Sequence, residues 1–405
     1  MSYAERESDK KWQAMEVCHN IIADESPNPT LNKEYTTEEG MVLARLMIDM
    51  QGRAAQPDVS FAQQYMHHKG IKIFKERGTA AAMKELDQLH QRECFAPLDV
   101  SSLTPSEKKK AQEALMFLSE KRDGTVKGRM VYNGKPTREW LSREDTASPT
   151  VSLESIFLTA IIDAKEKRDV MSADVPNAFI QAELPPPAPG EDRVIMKITG
   201  ILVELLADMA PEIYGPYVVY EKGRKVLYVE MLKALYGMLF SSLLWYNTFR
   251  QDLEAIDYQF NPYDPCVANK LINGKQHCVR FHVDDLLASH VDKNVNTRFE
   301  KWLNTKYGKY GEVKAIRGYV HDYLGMTLDF SHRGKVTVDM CDYVQGMIDS
   351  SSLKLEPGDV APTPAAENLF DKGTGEKLSK EKAEEFHTIV AKGLFAVSYT
   401  HLTLP

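Results

Sequence analysis

The stretch FHVDDLLASH, Phe281 to His290, decides the fold, because it sets two adjacent aspartates between apolar runs. The runs Cys278–Val283 and Leu286–Ala288 are typical of strands, and Asp is favoured in tight turns. We therefore predict a strand–turn–strand unit with Asp284 and Asp285 at its tip. Taken alone, such a pair is more often an ordinary turn than a catalytic site, and both interpretations stay open at this point.

A third carboxylate favours the catalytic interpretation. Asp174 ends a second predicted strand, Val170 to Asp174. Three carboxylates at neighbouring strand ends would form an anionic pocket of hard oxygen ligands. Such a pocket suits Mg²⁺, and bound cations would cancel the repulsion between the acids. Two such ions can hold both the attacking and the leaving oxygen of a phosphoryl transfer.

The surrounding pattern predicts an α+β fold. Asn273-Gly274 lies between two apolar runs, which is a strong hairpin signal. Helices interleaved with antiparallel hairpins are typical of the α+β class. Three helices are predicted from apolar residues that share one face, with the last helix ended by Gly308. Their apolar faces are Leu153, Ile156, Phe157, Ala160, Ile161 and Ala164; Trp245, Phe249, Leu253 and Ile256; and Val295, Phe299, Trp302 and Leu303.

Composition and charge narrow the function classes. The 405 residues are 43% apolar and 27% charged, which leaves room for two or three domains. No run of eighteen apolar residues occurs, so no membrane span is expected. Five scattered cysteines without a CxxC indicate a reducing compartment and disfavour disulfides and zinc. The net charge of −8 counts against nucleic-acid binding, but residues 108–143 carry ten Lys or Arg against four Asp or Glu. Such a segment either binds phosphate or is simply a solvated surface.

Several short stretches, taken in order, resemble the reverse transcriptase of copia-type (Pseudoviridae-like) LTR retrotransposons. The resemblance runs from about Cys94 to Phe395, and KGRMVYNGK (Lys127–Lys135) is similar to the family's basic fingers strand. The stretches are ASPTV (Ala147–Val151), ADVPNAF (Ala173–Phe179), LKALYGM (Leu232–Met238), LLWY (Leu243–Tyr246), YDPCV (Tyr263–Val267), HVDD (His282–Asp285) and DYLGM (Asp322–Met326).

The resemblance implies a right-hand fold of fingers, palm and thumb with an antiparallel palm sheet. It implies RNA-directed DNA synthesis, with an RNA or DNA template, a primer and deoxynucleotides as partners. It further implies self-association, no membrane, and a cytoplasmic virus-like particle. The implied domains are a polar, helical extension at 1–93, fingers at 94–168, palm at 169–290, a thumb-like region at 291–355, a linker and truncated connection at 356–396, and a non-native tail at 397–405.

The same resemblance assigns roles to single residues. Asp174, Asp284 and the Val175 backbone would bind two Mg²⁺ ions, and Asp285 would be a less essential third carboxylate. His282 would contact the primer end. The nucleotide-binding residues implied are Lys127 and Arg129 on the triphosphate, Phe179 under the sugar as the filter against ribonucleotides, and Tyr236 and Gly237 on the floor beneath the nucleotide.

Departures from the family pattern leave a second hypothesis open. His282 stands where the family has Tyr, Leu239-Phe240 where it has Lys-Gln, and Leu243 where it has Arg. Because the family's Gln contacts the nucleotide, its loss is expected to weaken nucleotide binding unless Phe240 stacks or packs in its place. The alternative is therefore a catalytically silent retrotransposon remnant that at most binds nucleic acid. The ending after Phe395 does not follow the family, and we expect a fragment of a polyprotein.

Overall fold

The computed structural model describes residues 65–121, 124–142, 146–349 and 378–400. These residues belong to two compact units. One unit contains the described residues up to 323 together with 328–337, and the other contains 324–327, 338–349 and 378–400. Residues 356–377 of the predicted linker and connection lie outside the described residues. No helix within the described ranges is both long enough and apolar enough to cross a membrane.

The strands belong mostly to the first unit. In chain order they are β1 (Tyr65–Met66), β2 (Phe95–Pro97), β3 (Gln112–Glu120), β4 (Val126–Tyr132), β5 (Asp169–Asp174), β6 (Ile195–Thr199), β7 (Val219–Glu221), β8 (Arg224–Met231), β9 (Gln259–Phe260), β10 (Val267–Ile272), β11 (Lys275–His282), β12 (Asp285–His290), β13 (Lys314–Gly318), β14 (Val320–Tyr323), β15 (Met326–Asp329) and β16 (Thr337–Asp339).

The helices alternate with these strands along the chain. They are α1 (His67–Phe74), α2 (Glu76–Gln91), α3 (Pro105–Lys110), α4 (Leu153–Glu166), α5 (Ile201–Met209), α6 (Pro211–Tyr214), α7 (Ser241–Glu254), α8 (Lys293–Tyr307), α9 (Cys341–Asp349) and α10 (Lys380–Thr400). The mixture of helices with antiparallel sheets confirms the α+β class. The predicted helices at α4, α7 and α8 are confirmed, although Ile256 lies beyond the end of α7. Gly308 follows α8 with a φ of −81°, so it does not form a left-handed cap.

The N-terminal sheet has seven strands. Its order is β1-β3-β6-β8-β2, with β4 paired to β3 and β7 paired to β8. One pairing, β3 with β6, is parallel and the others are antiparallel. Helix α2 packs on β4, since a Cβ added at Gly128 would lie 2.6 Å from the Ala81 carbonyl oxygen. The predicted boundary between residues 93 and 94 therefore separates a helix from the strand it covers, and the domain boundaries stay predictions.

The second sheet has six strands in the order β13-β5-β12-β11-β10-β9, and each neighbouring pair is antiparallel. Asn273 and Gly274 join β10 to β11 with φ angles of 52° and 71°, which confirms the predicted hairpin. The aromatic rings of Phe249 on α7, Phe281 on β11 and Tyr307 on α8 pack together on one face. Residues next to Phe281 point to the opposite face, which α4 covers.

Candidate active site

Two of the three predicted carboxylates lie directly opposite each other in the six-stranded sheet. Asp174 ends β5 and Asp285 begins β12, and their Cα atoms are register partners in the antiparallel ladder. Side chains of such partners point to the same face, with Cβ atoms about 4.5–5.5 Å apart. Asp284 precedes Asp285, and its carbonyl oxygen accepts the Val175 N–H at 3.1 Å. The sheet therefore brings all three acids to one edge.

The turn between β11 and β12 is strained. Val283 and Asp284 alone separate the paired residues His282 and Asp285, and Val283 has a φ of 58°. Two-residue hairpin turns need positive φ at their first central position, where glycine is favoured, and a β-branched residue there is costly. Trp245 opposes this cost, because its Nε1–H donates to the Val283 carbonyl oxygen at 2.6 Å. Strain of this kind clusters at functional sites, and here it fixes the position of Asp284.

The electrostatics of this edge are unbalanced. Burial, and then the charges of Asp284 and Asp174, raise the pKa of Asp285 to about 7. Among the described residues, no cation is one of the groups that shift it. Burial also raises the pKa of Asp174, but Lys314, its register partner on β13, and Lys127 oppose that shift. Part of the Asp285 population is therefore protonated at neutral pH, and a bound cation would stabilise the ionised edge.

The donor chemistry of the edge fits a hard divalent cation. Mg²⁺ takes oxygen ligands and usually binds through one or two carboxylates, completed by water and substrate phosphates. The acidic side chains do not by themselves form a complete set of metal ligands. Within the described residues, no group of three or more His, Cys, Asp or Glu side chains is arranged to hold a metal ion. The roles of Asp174, Asp284 and the Val175 backbone as metal ligands therefore stay predictions.

The predicted nucleotide-binding residues form a chain of contacts beside the carboxylates. Lys127 and Arg129 alternate with buried residues along β4, and the Arg129 guanidinium lies 4.2 Å from the ring centroid of Tyr236. That ring meets Phe179 edge-on, with the ring centroids 4.8 Å apart. Phe179 is 3% exposed and lies five residues after Asp174, in the 3₁₀ turn Ala178–Gln181. Tyr236 therefore contacts both Arg129 and Phe179, and the roles of these residues in nucleotide binding stay predictions.

Lys127 couples the predicted nucleotide-binding residues to the carboxylate edge electrostatically. Its pKa lies below the ordinary value, because neighbouring protein displaces water from the ammonium and because Arg129 and Lys121 repel it. The negative charges of Glu85 and Asp174 act in the opposite direction. Lys127 is therefore close enough to a catalytic candidate to feel its charge, as a group that bridges a phosphate and a carboxylate site must be.

Gly237 is required by backbone crowding. Its φ is 89°, and an added Cβ would lie 2.1 Å from the Tyr132 carbonyl oxygen. A Cβ at Gly134 would likewise lie 2.1 Å from the Gly237 carbonyl oxygen. The Tyr132 N–H donates to the Tyr236 carbonyl oxygen at 2.8 Å, so the Tyr236-Gly237 segment is bonded to the end of β4. This close approach explains why the segment contains a glycine.

The residues that depart from the family pattern are mainly packed in the protein. Phe240 is partly buried and packs against the hydrophobic cluster of the N-terminal sheet. Whether Phe240 also takes the place of the family's Gln beside a nucleotide stays a prediction. His282, the last residue of β11, is 8% exposed and lies opposite Asp285. Leu243 is half-buried within α7.

Sequence reasoning missed Glu85. This residue of α2 accepts the Met130 N–H through Oε1 at 3.1 Å, and Arg129 and Lys127 act on its charge. A signal for it was available, because Glu85 lies four residues after Ala81 and four before Leu89, both buried. An acid at that spacing belongs to the apolar face of the helix. A carboxylate at such a position needs a hydrogen-bond donor, and the Met130 N–H of β4 is that donor.

Comparisons with known proteins do not assign a family. No family model matches the chain, and no curated protein matches it. Among solved structures, telomerase from Candida albicans in complex with the TWJ fragment of telomeric RNA is similar, at 9% sequence identity and a TM-score of 0.31. The match covers 63% of this chain and 50% of that chain, so this protein spans about half the length of the telomerase chain. A likeness of this size carries no argument about fold or function.

Proposed function

We propose that this chain is an RNA-directed DNA polymerase of the copia retrotransposon type, built as a right hand of fingers, palm and thumb. The observation that carries the proposal is the meeting of Asp174, Asp284 and Asp285 at one sheet edge, with burial and mutual repulsion raising the pKa of Asp285 to about 7. A fold gains nothing from such an arrangement. An enzyme that binds divalent cations and nucleotide phosphates does.

The protein's own residues divide the work of nucleotidyl transfer. Asp174 and Asp284 would hold Mg²⁺, with the Val175 carbonyl as a further ligand and Asp285 as a supporting charge. When bound, the ions supply positive charge for the oxygens of the transferred phosphoryl group. Arg129 and Lys127 bind the triphosphate, since guanidinium forks onto phosphate and an ammonium supplies a point charge. Stacking on Tyr236 keeps the Arg129 guanidinium in one orientation.

Phe179 would act as the filter for the sugar. Its ring is held edge-on by Tyr236 and is buried, so it cannot swing away from an incoming 2′-hydroxyl. Replacement by Val or Ala should therefore raise the use of ribonucleotides relative to deoxynucleotides. Unchanged discrimination in both variants would mean that Phe179 serves only to pack the core.

Primer extension tests the proposal. The full chain is incubated with poly(rA)/oligo(dT), Mg²⁺ and dTTP, and product length is followed with time. Extension that requires Mg²⁺ and stops in Asp174→Asn supports the polymerase. The missing Gln at position 240 favours the second candidate, a silent remnant that binds template without chemistry. Template–primer binding without any extension would support the remnant and contradict the polymerase.

A further inference from the structure

On the side of β4 that does not pair with β3, two backbone N–H groups each donate a hydrogen bond to a group outside the sheet ladder. β4 pairs with β3 along one side, and the N–H groups of Met130 and Tyr132 point away from that pairing. The Met130 N–H donates to Glu85 Oε1 at 3.1 Å, and the Tyr132 N–H donates to the Tyr236 carbonyl oxygen at 2.8 Å. An unpaired strand edge presents backbone groups that can pair with another strand, and these two hydrogen bonds occupy the N–H groups of Met130 and Tyr132 instead.

Helix α2 holds Glu85 against this edge with little freedom. The Ala81 carbonyl oxygen would lie 2.6 Å from a Cβ at Gly128, so only glycine permits the helix to approach so closely. Glu85 lies one helical turn after Ala81, and Met130 lies two residues after Gly128 on the same strand. The glycine contact therefore sets the distance at which the Glu85 carboxylate meets the Met130 N–H.

Charge links the same carboxylate to the two predicted phosphate-binding cations. Burial raises the pKa of Glu85, while the Met130 hydrogen bond and then Arg129, Lys127 and Arg92 lower it. Lys127 is repelled by Arg129 and Lys121 and attracted by Glu85. The cations therefore lie on a strand whose edge is fixed by an anion that also offsets their repulsion.

We infer that Glu85 is a positioning residue for nucleotide binding, which anchors the edge of β4 and thereby holds Lys127 and Arg129 towards the incoming triphosphate. Glu85 itself would not contact the nucleotide. The inference rests on the proposed function for its effect on nucleotide affinity, but its effect on the strand edge does not depend on that function.

The test compares four variants of the full chain. Glu85→Ala removes the anchor, and Glu85→Asp shortens it by one methylene while keeping the charge. Glu85→Gln keeps an oxygen that can accept from Met130. Asp87→Ala is the matched control, because Asp87 lies on the same helix, is exposed, and accepts only a long bond from Gln91. Two quantities are measured: hydrogen exchange at the Met130 amide, and the dTTP KM and kcat on poly(rA)/oligo(dT).

Glu85→Ala should speed Met130 exchange and raise the dTTP KM about 5- to 10-fold, the factor for losing one ordinary hydrogen bond. The value of kcat should change less than KM, because the carboxylate edge is untouched. Glu85→Asp should lie between Ala and the parental chain, and Glu85→Gln should recover most of the affinity. Asp87→Ala should match the parental chain in both measurements. If Glu85→Ala fails to fold, Glu85→Asp against Glu85→Gln still decides the question.

A purely structural role predicts a different result. Equal KM values in parental, Glu85→Asp and Glu85→Ala proteins would overturn the inference, even if melting temperatures fall. If the parental chain extends no primer, the proposed function fails. Hydrogen exchange at the Met130 amide then tests by itself whether Glu85 anchors the edge of β4. Faster exchange in Glu85→Asp than in Glu85→Gln would uphold the anchor, and equal exchange would overturn it.

Discussion

Acidic side chains lie near both ends of β12 on one face of the sheet, and they differ in whether a buried cation neutralises them. The end at Ser289 is called the far end, and the end at Asp285 is called the near end. At the far end, Asp163 of α4 is 1% exposed and pairs with the fully buried Arg280, whose Nη1 lies 2.7 Å from Oδ2. The Ser289 hydroxyl donates to the other oxygen of Asp163 at 2.6 Å. At the near end, Asp285 faces Asp174 across the ladder, and the groups that shift its pKa are burial and two further carboxylates.

The difference teaches how to separate a structural acid from a ligand-binding one. A carboxylate that serves the fold is neutralised within the chain, because an unpaired buried charge costs several kcal/mol. At the near end, no cation of the described residues is among the groups that shift the pKa of Asp285, and the strained turn at Val283 fixes the position of Asp284. A site that must accept cations and phosphates has this form. We expect the two ends to differ in function as they differ in charge.

The largest effect is expected at the near end. Asp174→Asn or Asp284→Asn should lower the rate of primer extension by on the order of 10³-fold, the scale of losing an electrostatic stabiliser in a transition state. Folding should be intact, because removing one of several repelling charges does not weaken the sheet. Asp285→Asn should lose less activity. Extension at the parental rate by either of the first two variants would contradict the assignment.

The far end should respond in stability. Asp163→Ala leaves the buried Arg280 without its partner, and we expect the free energy of unfolding to fall by roughly 3–5 kcal/mol. Urea denaturation followed by circular dichroism measures this change. Activity per folded molecule should stay near the parental value. A specific loss of activity with unchanged stability would remove the distinction between the two ends.

Lys127 and Arg129, the predicted phosphate-binding cations, should show a smaller effect. Lys127→Ala and Arg129→Ala should each weaken dTTP use by about 1–3 kcal/mol, the range for hydrogen bonds to charged groups. Template–primer affinity should fall less and should decrease as salt rises. The apparent dTTP KM on one template–primer at fixed salt is the measurement. An unchanged KM in both variants would move the triphosphate contact elsewhere, with Lys121, Arg122 and Lys135 as the next candidates.

The smallest effect concerns pH. The pKa of Asp285 is raised from 3.8 to about 7, so between these pH values the folded chain binds more protons than the unfolded chain. This contribution to stability is therefore lost as pH rises from about 4 to 7. Without divalent cations, Asp285→Asn should be more stable than the parental chain at pH 8, and the gain should vanish near pH 4. A gain that is equal at both pH values would show that repulsion is not its cause.

The elements that could be predicted from the sequence are those determined by residues close to one another along the chain. The Asn273-Gly274 hairpin follows from positive φ angles, and α4, α7 and α8 follow from apolar periodicity. The meeting of Asp174 and Asp285 could be expected as well, because Asp174 ends one predicted strand and Asp285 lies at the turn that begins another.

Other features depend on contacts between distant segments. Glu85 lies 45 residues from Met130, so no local pattern predicts their bond. The pair Asp163–Arg280 spans 117 residues and joins two elements that sequence periodicity treats separately. The packing of Phe240 against the core depends on the neighbouring sheet rather than on the helix that follows it. These features need the tertiary structure, because nothing near them in sequence fixes their partners.

A magnesium titration at pH 8, followed by melting temperature, tests the central claim most directly, because it separates cation binding from chemistry. The parental chain should gain melting temperature as Mg²⁺ is added, since a cation that binds only the folded state stabilises it. The double variant Asp174→Asn, Asp284→Asn should gain little. Glu191→Gln, which removes an exposed acid from the loop between β5 and β6, should behave like the parental protein. Equal gains in the parental chain and in the double variant would contradict the claim that these carboxylates form the metal site.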